Sequence, residues 1–232
     1  MTTPLFDLAA PPLVPVEGGE TGYPVRRIFC VGRNYAAHAA EMGNEVDREA
    51  PFYFTKTPHA LCLSGANIPY PLETSDCHHE MEFVVALGAP AFRVTKARAM
   101  SAVWGYGCGI DLTRRDLQGQ AKDKRRPWDL GKDFEDSAII GALTAKAAFG
   151  EIGDQAIRLD VDGRRAQEAS LSEMVWSVPE IIAHLSRFYH LGAGDLIYTG
   201  TPAGVGPVAP GNVLRGEIDG LAPLVVTIGA AE

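Results

Sequence analysis

The chain has 232 residues, a formal net charge of -8 and a sequence pI near 5.3. This balance argues against a general nucleic-acid or anionic-membrane binder, because such surfaces need excess lysine and arginine. The length suits one large domain with a substantial apolar core, and the apolar runs stop far short of the roughly 20 residues that cross a bilayer.

The four cysteines favour a reducing, cytoplasmic setting. They are widely spaced and contain no CxxC pair. The first residues also lack the basic segment followed by an apolar one that a secretory signal would have. The cysteines are Cys30, Cys62, Cys77 and Cys108.

The first half of the chain predicts an arm followed by strands and one short helix. Residues 1–24 are rich in proline and glycine and predict an extended arm that packs over a single domain, residues 25–232. The apolar run at residues 28–31 predicts a buried strand, which Gly32 ends before a short helix. Further strands are predicted at residues 52–55 and 80–87.

The middle of the chain predicts a helix and a hairpin. A helix at about residues 96–103 leads into a glycine-rich stretch where small residues suit close backbone approach. Residues 157–161 and 164–167 predict a hairpin, because the Asp162-Gly163 pair between them is a type I′ turn signal.

The last third predicts one more helix and two strands. Ser177 begins the helix, with Pro179 near the first turn and an apolar stripe behind it. The late strands lie at residues 195–198 and 224–228. The whole pattern predicts an α+β fold that is mainly β, with a few peripheral helices.

Two glutamates in one predicted strand form the first candidate site. Alternate side chains of a strand share a face, so Glu80 and Glu82 point the same way while Met81, Phe83 and Val85 point into the core. Two carboxylates repel each other unless a cation joins them, and hard oxygen ligands suit Mg²⁺, Mn²⁺ or Ca²⁺. The alternative is a solvated strand face.

Asp111 offers a third carboxylate, at the edge of a predicted turn that enters a helix. It would complete a metal site that leaves positions open for substrate, although alone it would pass as an N-cap. If the segment is helical, Asp111, Arg115 and Gln118 share one face and present a carboxylate, a guanidinium and an amide. A surface ion pair explains the first two almost equally well.

His38 and Glu41 form a candidate acid–base pair. They are three residues apart, so on a helical turn the carboxylate can orient the imidazole and raise its basicity. This is the geometry of a water-activating dyad, and an exposed helix pair is the alternative. The polar segment at residues 43–49 is predicted to be mobile and to act as a lid.

Two further features suit an anionic ligand. Lys132 is a compact cation that could neutralise an enolate or a carboxylate, although most lysines only solvate a surface. The segment at residues 198–206 follows a strand and offers hydroxyls and amide N–H groups suited to an anion, with a structural turn as the alternative. It has neither P-loop nor Rossmann spacing.

Together these motifs resemble the fumarylacetoacetate hydrolase family. Their order and spacing match across residues 26–206, and the ordered set is far more specific than any single motif. Within the family, residues 31–38 and 126–132 are most similar to members that hydrolyse fumarylpyruvate in gentisate breakdown. The motifs are Gly32-Arg33-Asn34-Tyr35, His38, Glu41, Glu80-Met81-Glu82, Asp111, Arg115-Asp116, Gln118, Lys132, Thr199-Gly200-Thr201-Pro202 and Gly204-Val205-Gly206.

The resemblance implies a mixed β-sandwich roll, a homodimer and a role for each site residue. Mg²⁺ or Mn²⁺, with Ca²⁺ as a further option, would bind Glu80, Glu82 and Asp111. His38 with Glu41 would activate water, and Lys132, Arg115, Gln118 and Thr201 would contact the substrate's oxygens, with Arg33 and Tyr35 as pocket neighbours.

The implied reaction is hydrolysis of a carbon–carbon bond in a small anionic 2,4-diketo acid. The ion would act as a Lewis acid, and fumarate and pyruvate would be the products. No nucleic-acid or membrane partner is expected. Two rival interpretations remain: family members that decarboxylate or tautomerise oxaloacetate, which need no hydrolytic water, and a metal-stiffened β module that binds a partner without catalysis.

Overall fold

A computed structural model describes residues 3–41, 43 and 48–232, and within these the predicted mainly-β mixed fold is confirmed. The largest element is a mixed, eight-stranded sheet. In spatial order its strands are β4 (Phe52–Lys56), β3 (Arg27–Gly32), β15 (Asp195–Tyr198), β8 (Met81–Leu87), β9 (Val103–Asp111), β11 (Ala138–Ile140) and β5 (Leu61–Leu63), with β12 (Thr144–Ala145) paired to β9.

A second sheet of five strands and two small sheets complete the β structure of the described residues. The five strands are β14 (Arg164–Ser170), β13 (Ala156–Val161), β17 (Val213–Ile218), β18 (Leu224–Ala231) and β6 (Asn67–Tyr70). The small sheets are β10 (Thr113–Arg114), β7 (Cys77–His79) and β16 (Gly206–Pro207), and β1 (Leu13–Pro15) with β2 (Gly22–Pro24).

The helices are short. They are α1 (Ala36–Glu41), α2 (Lys96–Ala99), α3 (Arg115–Asp123), α4 (Asp129–Lys132), α5 (Lys146–Phe149) and α6 (Val178–Leu185), with 3-10 turns at Pro58–Ala60, Met100–Ala102 and Leu171–Glu173. Over the part of the chain that the structure describes, none of them combines the length and apolar character needed to span a membrane.

Both faces of the eight-stranded sheet are covered by apolar packing. Phe83 and Val85 of β8 belong to a core shared with the five-stranded sheet, as the strand alternation predicts. Val84 and Ala86 on the other face belong to a second core, so β8 is buried along its whole length. A strand buried on both faces leaves no solvated face for the carboxylate that it carries.

The N-terminal hairpin of β1 and β2 supplies part of that second core. Val14 and Tyr23 are buried there, and the Tyr23 hydroxyl, with its single proton, lies 2.7 Å from Leu87 O and 3.0 Å from Asp195 O. The division into an arm of residues 1–24 and a domain of residues 25–232 stays a prediction.

Strand β15 runs parallel to β3, with Asp195 paired to Arg27 and Tyr198 to Cys30. The backbone segments that follow the two strands therefore leave the same edge of the sheet. The Asn34 side chain ties them together, because its Nδ2 donates to Thr199 O at 2.7 Å and to Trp176 O at 3.0 Å.

Two local predictions are confirmed and one needs correction. The hairpin of β13 and β14 turns through Asp162 and Gly163, both at positive φ as a type I′ turn requires. Helix α6 begins after Ser177, which forms a capping box with Glu180. The helix predicted at residues 96–103 ends at Ala99 instead, because the chain turns there to enter β9.

The glycine-rich stretch is a strand, and its glycines admit close neighbours. A Cβ added at Gly105 would lie 2.3 Å from Thr144 O, on the backbone of the paired strand β12. We expect Gly105→Ala to lower the free energy of unfolding by about 1–3 kcal/mol, because that backbone cannot move aside. Urea denaturation measures the change.

Gly119 in α3 is the matched control, because a Cβ added there meets nothing within 4 Å. Gly119→Ala should raise the free energy of unfolding by about 0.5–1 kcal/mol, since alanine costs less backbone entropy than glycine in a helix. Equal urea midpoints for the two variants would contradict the close approach at Gly105.

Candidate active site

The pairing of β8 with β9 brings three carboxylates together. Glu82 lies opposite Gly109, and two residues along the ladder the Asp111 amide donates to Glu80 O at 2.8 Å. Residues opposite each other in an antiparallel pair share a face. As a result, ligand oxygens of Glu80, Glu82 and Asp111 all lie within 4.8 Å of one another.

All three carboxylates are buried, so the solvated-face interpretation of the two glutamates is wrong. Glu80 is 6% exposed, Glu82 1% and Asp111 0%. Buried carboxylates of this density require cations to compensate for lost hydration. The cation from α4 is Lys132, whose Nζ lies 2.8 Å from Glu80 Oε2, 2.6 Å from Asp111 Oδ2 and 2.6 Å from Thr113 Oγ1.

Lys132 therefore donates to three protein oxygens, as many bonds as an ammonium has protons. Burial opposes its charge, but Asp111 and Glu80 hold the pKa of Lys132 above its ordinary value. Burial likewise works against the charge on Glu80, yet Lys132 and Arg115 outweigh it and hold the pKa of Glu80 below its usual range. The lysine holds Glu80 and Asp111 together.

Glu82 differs, since it forms no salt bridge among the described residues. Its Oε2 accepts a hydrogen bond from Gly200 N at 2.6 Å. Burial, with the charges of Asp111 and Glu80, raises the pKa of Glu82 well above its usual value. Three buried hard-oxygen donors, one of them uncompensated, fit a divalent cation of the Mg²⁺ or Mn²⁺ kind.

Lys56 at the end of β4 is a site residue that sequence reasoning missed. It is 2% exposed, and its Nζ lies 2.9 Å from Asp111 Oδ1 and 2.9 Å from Ser137 Oγ. It also donates to the backbone carbonyl of Lys132. The sequence shows only a lysine at the end of an apolar strand, which could have indicated a buried cation. The pairing of β4 within the sheet is what shows that the Lys56 side chain points to the carboxylate cluster.

The prediction that Asp111, Arg115 and Gln118 share one helix face is wrong. Asp111 is the last residue of β9 and caps no helix, because residues 113–114 form a short strand before α3 begins at Arg115. Arg115 and Gln118 do meet on α3, where Arg115 Nη1 donates to Gln118 Oε1 at 2.8 Å. Arg115 Nη2 also pairs closely with Glu80, so the groups still converge, from separate elements.

The predicted dyad is present on α1. His38 Nδ1 lies 3.3 Å from Glu41 Oε2; the histidine is 7% exposed, whereas the Glu41 side chain is 36% exposed. The imidazole is therefore buried and the carboxylate reaches solvent. Burial lowers the pKa of His38, while Glu80 and Glu41 partly oppose that shift. The imidazole is therefore neutral around pH 7, the form in which a histidine can accept a proton.

Backbone amides of the segment after β15 donate hydrogen bonds to carboxylates of the site. Gly200 N donates to Glu82, and Gly204 N donates to Glu41 Oε1 at 3.1 Å. These two amides are thus occupied by side chains of the chain itself. Thr201 is held by Gln167 of β14, whose Nε2 donates to Thr201 Oγ1 at 2.8 Å. Gln167 was not anticipated as a supporting residue, because its contacts are all distant in sequence.

One cleft brings most of the predicted residues together. Asp111 and Glu41 do not line the cleft themselves. Each contacts a residue that does: Asp111 contacts Lys132, and Glu41 contacts His38. Tyr35 is 1% exposed, and its hydroxyl has no hydrogen-bond partner among the residues that the structure describes. It is not among the lining residues, so a substrate contact from it stays a prediction. The lining comprises Val31, Gly32, Arg33, His38, Phe54, Glu80, Glu82, Arg115, Gln118, Lys122, Trp128, Lys132 and Thr201.

The predicted lid at residues 43–49 falls mainly on residues 44–47, which lie outside the described residues. Arg48, a described residue within the predicted lid, is anchored to the loop before α6. Arg48 donates to Val175 O and places its guanidinium 4.6 Å from the centroid of the Trp176 ring.

Comparison with known proteins matches this site to one family. A model of the fumarylacetoacetate (FAA) hydrolase C-terminal family matches residues 27–229. The chain is 47% identical over 194 residues to a fumarylpyruvate hydrolase from a Ralstonia species, covering 82% of this chain and 100% of that protein. It is 40% identical over 203 residues to a mitochondrial oxaloacetate decarboxylase of Dictyostelium discoideum, covering 87% and 91% of the two chains.

The chain is also similar in three-dimensional structure to a solved protein. The crystal structure of fumarylpyruvate hydrolase from Pseudomonas aeruginosa, in complex with Mn²⁺ and pyruvate, superposes with a TM-score of 0.95 at 43% identity. The similarity covers 98% of this chain and 100% of that one.

Proposed function

The chain belongs to the fumarylacetoacetate hydrolase family, and from that premise we propose that it is a divalent-metal-dependent hydrolase that cleaves fumarylpyruvate to fumarate and pyruvate. The observation that carries the proposal is that the buried carboxylate cluster and the neutral His38 face one cleft. The similar proteins from Ralstonia and Pseudomonas are fumarylpyruvate hydrolases, which supports the choice of substrate.

Glu80, Glu82 and Asp111 would hold the metal ion. When bound, Mg²⁺ or Mn²⁺ supplies Lewis acidity toward the oxygens of a 2-oxo acid. The Mn²⁺ in the Pseudomonas structure supports this class of ion, and Ca²⁺ remains an option by its preference for oxygen ligands. Lys132 and Lys56 keep the cluster assembled, because each bridges Asp111 to other parts of the site.

His38 would act as the general base. Its Nδ1 faces Glu41, which leaves Nε2 for the water proton, and Glu41 is itself fixed by Gly204 N. The activated water would attack the fumaryl carbonyl carbon, and the bond from that carbon to the methylene carbon of the pyruvate unit would break. The pyruvate unit would leave with the bonding electrons as an enolate and take up the proton that His38 removed from water, which gives fumarate and pyruvate. Arg115, Gln118 and Thr201 line the same cleft and would bind the substrate's oxygens there.

Oxaloacetate chemistry is the second candidate, because the 40% identical Dictyostelium relative is an oxaloacetate decarboxylase. A decarboxylase needs no activated water, whereas this cleft contains a buried His38 paired with a carboxylate. A non-catalytic metal module would need no base at all. The dyad therefore favours hydrolysis over decarboxylation and over a non-catalytic module. An oxaloacetate tautomerase also needs a base to move a proton, so the choice of substrate separates it from the hydrolase.

A substrate panel tests the proposal. We expect the purified protein with Mn²⁺ or Mg²⁺ to release stoichiometric fumarate and pyruvate from fumarylpyruvate, seen as loss of the diketo-enol absorbance. Treatment with a chelator should abolish the reaction and added Mn²⁺ should restore it. Turnover of oxaloacetate without turnover of fumarylpyruvate would contradict the proposal.

A homodimer, a cytoplasmic location and a role in aromatic catabolism complete the proposal. The family resemblance supports the first and third, and the spacing of the four buried cysteines supports the second. Size-exclusion chromatography with light scattering measures the oligomeric state.

A further inference from the structure

The cleft contains two cations that the proposed mechanism does not use. Arg33 and Lys122 both line it, together with Trp128. Neither cation forms a salt bridge or a side-chain hydrogen bond within residues 3–41, 43 and 48–232. By contrast, the other two lining cations, Arg115 and Lys132, are both paired with Glu80.

Lys122 extends a row of polar groups along α3. Arg115, Gln118 and Lys122 are spaced at i, i+3 and i+7, so they lie along one face of the helix. At 1.5 Å per residue, the lysine's backbone lies about 10 Å along the helix axis from that of Arg115. The Lys122 ammonium is held over the Trp128 ring, with Nζ 5.0 Å from the centroid.

Arg33 approaches from the segment after β3. Its backbone lies in the left-handed region, with φ at 57°, which is unfavourable for an arginine. The next residue holds that conformation in place, because Asn34 Oδ1 accepts from Trp176 N at 2.7 Å and its Nδ2 donates to two carbonyls. The arginine side chain itself remains exposed at the cleft.

The positive charges of Arg33 and Lys122 repel each other. Burial, followed by the charges of Arg115 and Arg33, lowers the pKa of Lys122 from its ordinary value. An anion between Lys122 and Arg33 would relieve this repulsion. The cleft lining also includes the apolar side chains of Val31 and Phe54 and the ring of Trp128, which can contact a carbon chain.

We propose that Arg33 and Lys122 form a second carboxylate-binding site, which takes the terminal carboxylate of the substrate's acyl group and selects dicarboxylic acylpyruvates over those with neutral acyl chains. The inference rests on the proposed hydrolase function and deepens it. The cleft then has a polar end for the 2-oxo acid, an apolar middle for the carbon chain, and a cationic end for the second carboxylate.

A comparison of two substrates tests this site. Fumarylpyruvate carries the terminal carboxylate and acetylpyruvate lacks it. For Lys122→Met with Mn²⁺, we expect KM for fumarylpyruvate to rise about 10- to 100-fold, the range of a hydrogen bond to a charged group. Its kcat should change less than about threefold, and kcat/KM for acetylpyruvate should likewise change less than about threefold. Arg33→Gln should likewise raise KM for fumarylpyruvate while leaving kcat and the reaction of acetylpyruvate nearly unchanged. Lys122→Arg should keep most of the wild-type affinity for fumarylpyruvate.

Lys124→Met is the matched control, because that lysine lies at the exposed end of α3 and does not line the cleft. Equal losses on both substrates, or no loss on fumarylpyruvate, would overturn the second carboxylate site while leaving the hydrolase function in place. If the wild-type protein cleaves neither substrate, the hydrolase function and the second carboxylate site are both wrong.

Discussion

Replacing His38 by alanine should reduce hydrolysis of fumarylpyruvate by about 10²–10⁴-fold, the usual contribution of a general base. The loss should appear in kcat, since His38 acts on the attacking water and makes no salt bridge to the carboxylate cluster. Mn²⁺ affinity, measured by calorimetry, should stay within a few-fold of the wild-type value. Activity at the wild-type level would remove His38 from the mechanism.

His59→Ala is the matched control, because His59 is exposed and outside the cleft.

The pH profile gives a second readout. Burial lowers the pKa of His38, and the neutral imidazole is the active form, so the acid limb of kcat should lie below pH 6.5, the ordinary histidine value. Glu41→Gln removes a group that raises that pKa, so the limb should move to still lower pH.

Glu82→Gln should abolish metal-dependent activity. Glu82 is the member of the cluster that has no salt bridge among the described residues, and its amide analogue can still accept the hydrogen bond from Gly200 N. We expect Mn²⁺ affinity to fall by more than the roughly 10–100-fold that loss of a supporting partner causes. Calorimetric titration of the variant with Mn²⁺ measures the affinity.

The same variant should fold at least as stably as the wild type when no metal is added, because it removes one of three mutually repelling buried carboxylates. Its melting temperature should not rise with Mn²⁺, whereas that of the wild type should. Glu168→Gln, an exchange on the exposed edge strand β14, should leave both behaviours unchanged. A wild-type response to Mn²⁺ in Glu82→Gln would exclude Glu82 as a ligand.

Local signals predicted much of the fold and part of the site. The Asp162-Gly163 turn, the Ser177 cap and the shared face of Glu80 and Glu82 each depend on a few neighbouring residues, and the structure has all three. His38 and Glu41 lie one helical turn apart, so their contact was also local. These features follow from spacing alone.

The features that sequence reasoning missed depend on contacts between distant parts of the chain. The glycine-rich stretch before Asp111 was predicted only to allow close backbone approach and was not assigned to a strand, yet Gly105, Gly107 and Gly109 recur with the period of a strand and mark one crowded face of β9. Lys56 reaches the site through the register of β4 with β3, and Gln167 reaches it through side-chain hydrogen bonds with Met81 and Thr201, both distant in sequence. Nothing near them in sequence specifies those partners.

The parallel pairing of β3 and β15 has a consequence for how the protein folds. Asn34 and Thr199, which join the two walls of the cleft, are 165 positions apart in the chain. Contacts of such high sequence separation form slowly, because a long loop must close before they contribute stability. During synthesis the cleft cannot assemble until the segment after β15 has emerged. Catalytic competence is therefore a late event in folding.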